Sequence, residues 1–231
     1  ESGDVQMLDW PQATIQRSLR VADEVIYRVR YSSDERTIAT ACGDGTCRVL
    51  DSQSGEERLI YRGHSRSVLA LASLEGHDPL WVSGGVDVTL RIWNGTTGVT
   101  SRTLDNHVAA IHHVAVRPRA GGALNGEPPV WIASLGDDRT VRLWQPLIGR
   151  LVRFTKLPSA PRAMAWSGDG MRLFVACNDG AVRELDFDTL EVARTWSGEV
   201  GRPHDLLLDR ESRHLVVAGE RGLRVTKLTP P

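Results

Sequence analysis

Five stretches of this chain repeat one pattern: an alternating apolar run, a tight turn carrying an acidic residue, and a second alternating run. They are RTIATACGDGTCRVLD (36–51), WVSGGVDVTLRIW (81–93), WIASLGDDRTVRLW (131–144), MRLFVACNDGAVRELD (171–186) and RHLVVAGERGLRVTKL (213–228). Alternation with period two on either side of a turn is the signature of paired β-strands. An arginine stands four residues after each turn acid, at Arg48, Arg91, Arg142, Arg183 and Arg224. The intervals between these arginines are 43, 51, 41 and 41 residues, the period of an architecture that lays down one four-stranded sheet per repeat.

The period predicts five sheets at about 24–62, 67–104, 110–155, 162–195 and 204–228 within a single domain spanning 13–231. Residues 1–12 show no sustained period, and Pro11 closes them off as an irregular lead-in. The fifth repeat lacks a fourth strand, whereas ATIQRSLRV (13–21) is a strand-like run without a partner of its own. The expectation is that 13–21 completes the last sheet and closes a ring, because an open ring would leave apolar sheet faces in water. One segment, RPRAGGALNGEPP (117–129), is too rich in Gly and Pro for regular pairing and reads as a tolerated surface insertion.

Composition removes several function classes. A formal net charge of −1 supplies no basic field to attract nucleic acid. The apolar run SVLALASL (67–74) is far too short to cross a bilayer, so no membrane insertion is expected. Cys42, Cys47 and Cys177 lack metal or haem spacing and read as core thiols, with a Cys42–Cys47 bridge left open. His112 and His113 are consecutive on a strand and point to opposite faces, so they cannot share a metal ion. Neither a phosphate-cradling glycine motif nor a hydrolase elbow is present, and no metal or cofactor is assigned. The chain opens on Glu1, which suits a processed product or one part of a larger polypeptide or assembly.

Trp93 and Trp144 at the ends of third strands, Gly63-His64 ahead of a repeat and the turn aspartates together resemble the WD-repeat β-propeller family over residues 13–228. The resemblance implies a hydrogen-bonded tetrad of His, Ser or Thr, Asp and Trp in each repeat. Two repeats match fully, with His64, Ser83, Asp87 and Trp93 in the second and His107, Ser134, Asp138 and Trp144 in the third. The first retains Thr40 and Asp44 with Leu50 in place of Trp, the fourth retains Asp179, and the fifth has Glu220. Seven sheets are commonest in proteins of this resemblance. The chain is therefore either a complete five-bladed propeller closed by its N-terminal strand or a segment of a longer one.

The implied function is a non-catalytic scaffold for protein–protein interaction. A Ser-His-Asp list is not a nucleophile unless the hydroxyl is reachable and faces an oxyanion hole. The rim where first strands begin carries Arg66, Arg162 and Arg202, a set suited to an acidic protein partner. A carbohydrate- or small-ligand-binding propeller is the alternative, and an enzyme with a central-channel site is the weaker one, since only Glu24, His112, His113, His204, Asp205 and Asp209 fall on the strands that would line it.

Overall fold

The computed structural model describes residues 3–9, 11–74, 76–77, 79–118, 130–197, 199–209 and 211–228. Most of the segment expected as a surface insertion, 119–129, lies outside them. Among the described residues the structure is all-β apart from one 3-10 turn at Pro146–Ile148, and the chain divides into two compact units, residues 1–105 and 106–231.

The first unit holds β1 (Asp4–Leu8), β2 (Ile15–Arg20), β3 (Ile26–Tyr31), β4 (Thr37–Cys42), β5 (Cys47–Asp51), β6 (Glu57–Tyr61), β7 (Val68–Ser73), β8 (Leu80–Gly85), β9 (Leu90–Asn94) and β10 (Thr100–Leu104). β3–β6 and β7–β10 are four-stranded antiparallel meanders. Between them lies a core of Ala39, Val49, Tyr61, Leu71, Trp81 and Trp93. Tyr61 stacks on Trp93 with centroids 4.3 Å apart, and its hydroxyl lies 2.7 Å from Thr100 Oγ1, so the aromatic ring stays dry while its polar end is satisfied.

The second unit holds β11 (Ile111–Val116), β12 (Ile132–Gly136), β13 (Thr140–Gln145), β14 (Arg150–Lys156), β15 (Pro161–Trp166), β16 (Arg172–Cys177), β17 (Ala181–Asp186), β18 (Val192–Ser197), β19 (Pro203–Leu208), β20 (His214–Gly219) and β21 (Gly222–Lys227). β11–β14 and β15–β18 repeat the four-stranded meander, and β19–β21 form a three-stranded one. Leu143, Leu157, Met164, Leu173 and Leu185 belong to one core of this unit, and Phe174, Val182, Leu206 and Val217 to another. The Arg117 guanidinium sits 3.8 Å above the Phe187 ring, and its Nε donates to the Gly170 carbonyl.

Two expectations need correction. The stretch 1–12 is not an irregular lead-in, because β1 lies within it. Nor does 13–21 lengthen the last sheet: β2 pairs antiparallel with β1 in a two-stranded sheet, and β19–β21 has three strands. The reason is local. Asp9 N–H donates to the Thr14 carbonyl and Ala13 N–H to the Asp9 carbonyl, which closes a hairpin, and Val5 and Val21 bury against Leu50 of β5. The three cysteines are buried free thiols, so Cys42 and Cys47 are not bridged. Burial pushes the Cys47 thiol far up and the Cys177 thiol up to about 11.

The turn between second and third strands is built alike in each four-stranded sheet. The residue after the turn aspartate has a left-handed backbone: Gly45 at φ 85°, Val88 at 61°, Arg139 at 62° and Gly180 at 76°. Its N–H bonds back to the carbonyl three residues earlier, at Cys42, Gly85, Gly136 and Cys177 respectively. Glycine takes this conformation freely, whereas a β-branched residue is strained there. Val88→Gly is accordingly expected to leave stability unchanged or raise it by up to about 1 kcal/mol, relief of left-handed strain outweighing the extra chain entropy of glycine. Gly180→Val should lower stability by about 1–2 kcal/mol. Urea unfolding of the two variants checks the opposite signs.

Candidate functional site

The second and third repeats each bury a four-membered polar chain. In the second, Trp93 Nε1–H donates to Ser83 Oγ at 3.0 Å, Ser83 Oγ lies 2.7 Å from His64 Nε2, and His64 Nδ1 lies 2.9 Å from Asp87 Oδ2. In the third, Trp144 Nε1–H donates to Ser134 Oγ at 2.8 Å, Ser134 Oγ lies 2.7 Å from His107 Nε2, and His107 Nδ1 lies 2.8 Å from Asp138 Oδ2. One proton per imidazole, placed on Nδ1 by the network, gives every donor an acceptor: indole to hydroxyl, hydroxyl to Nε2, Nδ1 to carboxylate. The strands dictate these positions, because Ser83 and Ser134 sit mid-strand beside the third strand that carries the Trp. Both serines are fully buried, so neither hydroxyl meets solvent.

Electrostatics favour the same arrangement. Burial raises the Asp138 carboxyl, but hydrogen bonds from Thr140 and His107 outweigh it and hold the pKa down, to about 2. Asp87 follows the same balance: burial opposes ionisation, yet the contacts with His64, Ser65 N–H and Thr89 N–H keep it well below the usual carboxylate range. Burial lowers the His107 pKa despite the neighbouring Asp138, so this contact is a hydrogen bond from a neutral ring.

Where the histidine is missing, arginine takes its place at the turn. Arg183 Nη2 lies 2.6 Å from Asp179 Oδ2, and Arg48 Nη2 lies 3.4 Å from Asp44 Oδ2. Arg142 also reaches its turn acid, Asp138, at 3.4 Å, while Arg91 Nε donates to Thr89 Oγ1 and Arg224 pairs with Glu199. Thr40 of the first repeat turns to Cys42 Sγ at 3.4 Å.

The rim arginines do not share one environment. Arg66 is exposed just before β7 in the first unit. Arg162 of the second unit is held: its Nη1 lies 3.1 Å from Asp137 Oδ1 and 2.8 Å from His112 Nε2, and its Nε donates to Asn178 Oδ1 at 3.0 Å. His112 Nε2 is itself 2.8 Å from Asp137 Oδ2. Arg162 and Arg202 line the same cleft of about 790 Å³, together with Asn178, Gly180, Glu220 and Arg221. The guanidinium groups of Arg202 and Arg221 form no ion pair among the described residues.

Sequence reasoning missed Asp137, which meets Arg162 across neighbouring sheets, and Asn178 and Arg221, which stand in the second-to-third-strand turns of the sheets that Arg162 and Arg202 open. It also missed the serine-anchored turns between first and second strands, which a short signal could have shown. Ser32 and Ser167, each two residues before an aspartate, bond Asp34 and Asp169 at 2.6 and 2.5 Å and accept the N–H of Thr37 and Arg172. His113 accepts the Met164 N–H through Nδ1 at 3.1 Å, so both consecutive histidines bond residues of β15 where the register of β11 shifts between Ile111 and His113, and the expectation that they serve opposite faces is corrected. No group of three or more His, Cys, Asp or Glu among the described residues is placed to hold a metal ion, and no helix is long and apolar enough to cross a membrane.

Meander sheets of four antiparallel strands, repeated with a polar chain running from a turn carboxylate to a third-strand Trp, define a β-propeller type of repeat protein. A family model described as "WD domain, G-beta repeat" matches residues 14–51. Among curated proteins, the chain is 34% identical over 93 residues to GID complex subunit 7 of Schizosaccharomyces pombe, covering 38% of this chain and 17% of that one. It is 28% identical over 166 residues to a guanine nucleotide-binding protein subunit beta of Solanum tuberosum, covering 65% and 41%. To telomerase protein component 1 of Mus musculus it is 25% identical over 151 residues, covering 64% and 6%, so each match spans less than half of the relative's length. With the two buried tetrads, these matches support the resemblance to the WD-repeat family.

Replacing the hydroxyl at the centre of a tetrad orphans an indole N–H and an imidazole nitrogen together. Ser83→Ala and Ser134→Ala should each cost about 1–3 kcal/mol, measured by urea unfolding at pH 7. The pH dependence has a definite sign. His107 takes up a proton below about pH 6.5 when unfolded, but only at lower pH when folded. Its contribution is therefore complete above that value and is lost as pH falls through the folded pKa. That of Asp138 is complete above about pH 3.9 and is lost as pH falls toward 2. The unfolding midpoint should drop between pH 7 and pH 5, and by a smaller amount in His107→Gln.

Proposed function

We propose that this chain is a non-catalytic scaffold for protein–protein interaction, and that an acidic partner segment meets it at the cleft bearing Arg202 and Arg221. The observation that carries the reading is the contrast among the arginines of the second unit. Arg142, Arg162, Arg183 and Arg224 are each matched to a carboxylate, whereas the Arg202 and Arg221 guanidinium groups stand exposed and without an ion pair at a cleft that Asp179, Glu199 and Glu220 also line. An unmatched guanidinium keeps its planar fork for a carboxylate brought by another molecule. Arg162, fixed by Asp137, His112 and Asn178, forms part of the wall and not the contact. Arg66 offers a further exposed cation in the first unit.

Two features support the non-catalytic part. The Ser-His-Asp sets are buried, and each serine already accepts an indole N–H, so no hydroxyl is poised for attack. Similar proteins bear names of assembly members, a GID complex subunit and a subunit beta.

The test is affinity capture from native extract with three proteins: the parent, the double variant Arg202→Glu with Arg221→Glu, and Arg66→Glu. A partner captured by the parent and lost by the folded double variant is the expected result. Capture that is equal with the double variant and abolished by Arg66→Glu would move the site to the first unit. No partner at all would sink the scaffold reading.

A further inference from the structure

The chain has three methionines, and one of them is distinguished by what touches its sulfur. Met164 is 2% exposed in a core of the second unit and Met7 belongs to the first unit, whereas Met171 is 40% exposed. Met171 stands in the turn between β15 and β16. Its N–H donates to Asp169 Oδ1 at 2.9 Å, and its carbonyl accepts the Phe187 N–H at 3.0 Å. The backbone is thereby held from both sides, and the side chain reaches a guanidinium: Arg117 Nη2 lies 3.3 Å from Met171 Sδ.

Arg117 follows β11 directly, and its surroundings are poor in negative charge. Nε donates to the Gly170 carbonyl at 2.7 Å, and the guanidinium rests on the face of Phe187. A Cβ at residue 170 would stand 2.9 Å from Arg117 Nε, so glycine there is what lets the arginine lie this close. Among the described residues Arg117 forms no ion pair, in contrast to Arg142, Arg162 and Arg183 of the same unit. Burial lowers its pKa, and Asp188 and Asp169 oppose that shift only through space. A charged, partly buried donor is thus set against a thioether, which is a weak acceptor. The pairing is mismatched in strength, and a chemical change at sulfur would correct it.

We propose that Met171 is a site of oxidation by a hydroperoxide and that Arg117 holds the sulfoxide that results. The sulfur lone pair attacks the terminal peroxide oxygen, so an S–O bond forms as the O–O bond breaks. Sulfur gives up two electrons and the peroxide takes them. The proton of the attacked oxygen passes to the departing one, which leaves as an alcohol, or as water when the oxidant is hydrogen peroxide. A methionine sulfoxide ordinarily disrupts packing, because a flexible apolar side chain has become polar. Here the new oxygen is a strong acceptor beside a guanidinium that has no carboxylate, so the bond that forms is charge-assisted. Oxidation therefore tightens the seam at which the end of β11 meets the β15–β16 turn and the β17–β18 turn. The site shares no residue with the arginine cleft and does not depend on the scaffold reading.

The test uses the whole chain carrying Met7→Leu, a volume-conserving exchange that leaves Met164 and Met171 as its thioethers. Under limiting hydrogen peroxide, peptide mass spectrometry should find oxygen added to Met171 at least about tenfold faster than to Met164. In nitrogen-15 spectra the Arg117 Nε–H should shift on oxidation and exchange with water at least about threefold more slowly. The urea midpoint of the oxidised chain should equal or exceed that of the reduced chain, whereas with Arg117→Leu added oxidation should lower it. Should the Arg117→Leu chain fail to fold, exchange at Arg117 in the chain that retains it decides. Oxidation of Met164 as fast as Met171, an Arg117 Nε–H that stays unmoved or exchanges faster, or a midpoint lowered equally with and without Arg117 would each overturn the proposal.

Discussion

A carboxylate bonded to the backbone N–H two residues further on is the interaction shared by every four-stranded sheet of this protein. Asp44 holds the amide of Thr46, Asp87 that of Thr89, Asp138 that of Thr140 and Asp179 that of Ala181, at 2.9–3.2 Å. It sets the reversal between second and third strands and forces the intervening residue into the left-handed region. The rest of the repeat is fitted around that charge. A buried or half-buried carboxylate needs more than one donor, and the chain supplies it either as histidine from the segment ahead of the first strand or as arginine from the third strand.

The two solutions differ in reach. Histidine, held between the turn and the mid-strand serine, carries the hydrogen-bond chain through to an indole on the next strand, so one charge organises four side chains and three segments. Arginine satisfies the turn locally and leaves the position opposite free for an aliphatic residue, as Leu50 and Leu185 show in the first and fourth repeats. The tetrads thus serve specificity of packing, since each indole is locked in orientation by a bond in addition to contact.

Much of this was legible in the sequence, because the signals are local. The 41–51-residue period, the turn acids, the third-strand arginines and the two tetrads all come from residues whose spacing within a repeat is fixed by strand length. β1 was not legible as a strand of its own: its alternation covers only five residues, and Trp10 and Pro11 break the run that follows. The junction of His112, Asp137 and Arg162 escaped for another reason. Its members lie up to 50 residues apart and meet only because neighbouring sheets present their rims together. Which arginine is matched and which stands free is a property of that packing, and Arg221, inside a turn, gave no periodic cue.

The free cysteines have a practical consequence. Thiolate, not thiol, is the species that alkylates, and Cys42, Cys47 and Cys177 are wholly buried with pKa values raised by burial. The native chain should therefore stay silent toward maleimide dyes while folded. A single cysteine introduced at an exposed position could then carry a fluorophore without any native thiol being removed, which makes the protein a ready background for site-selective labelling.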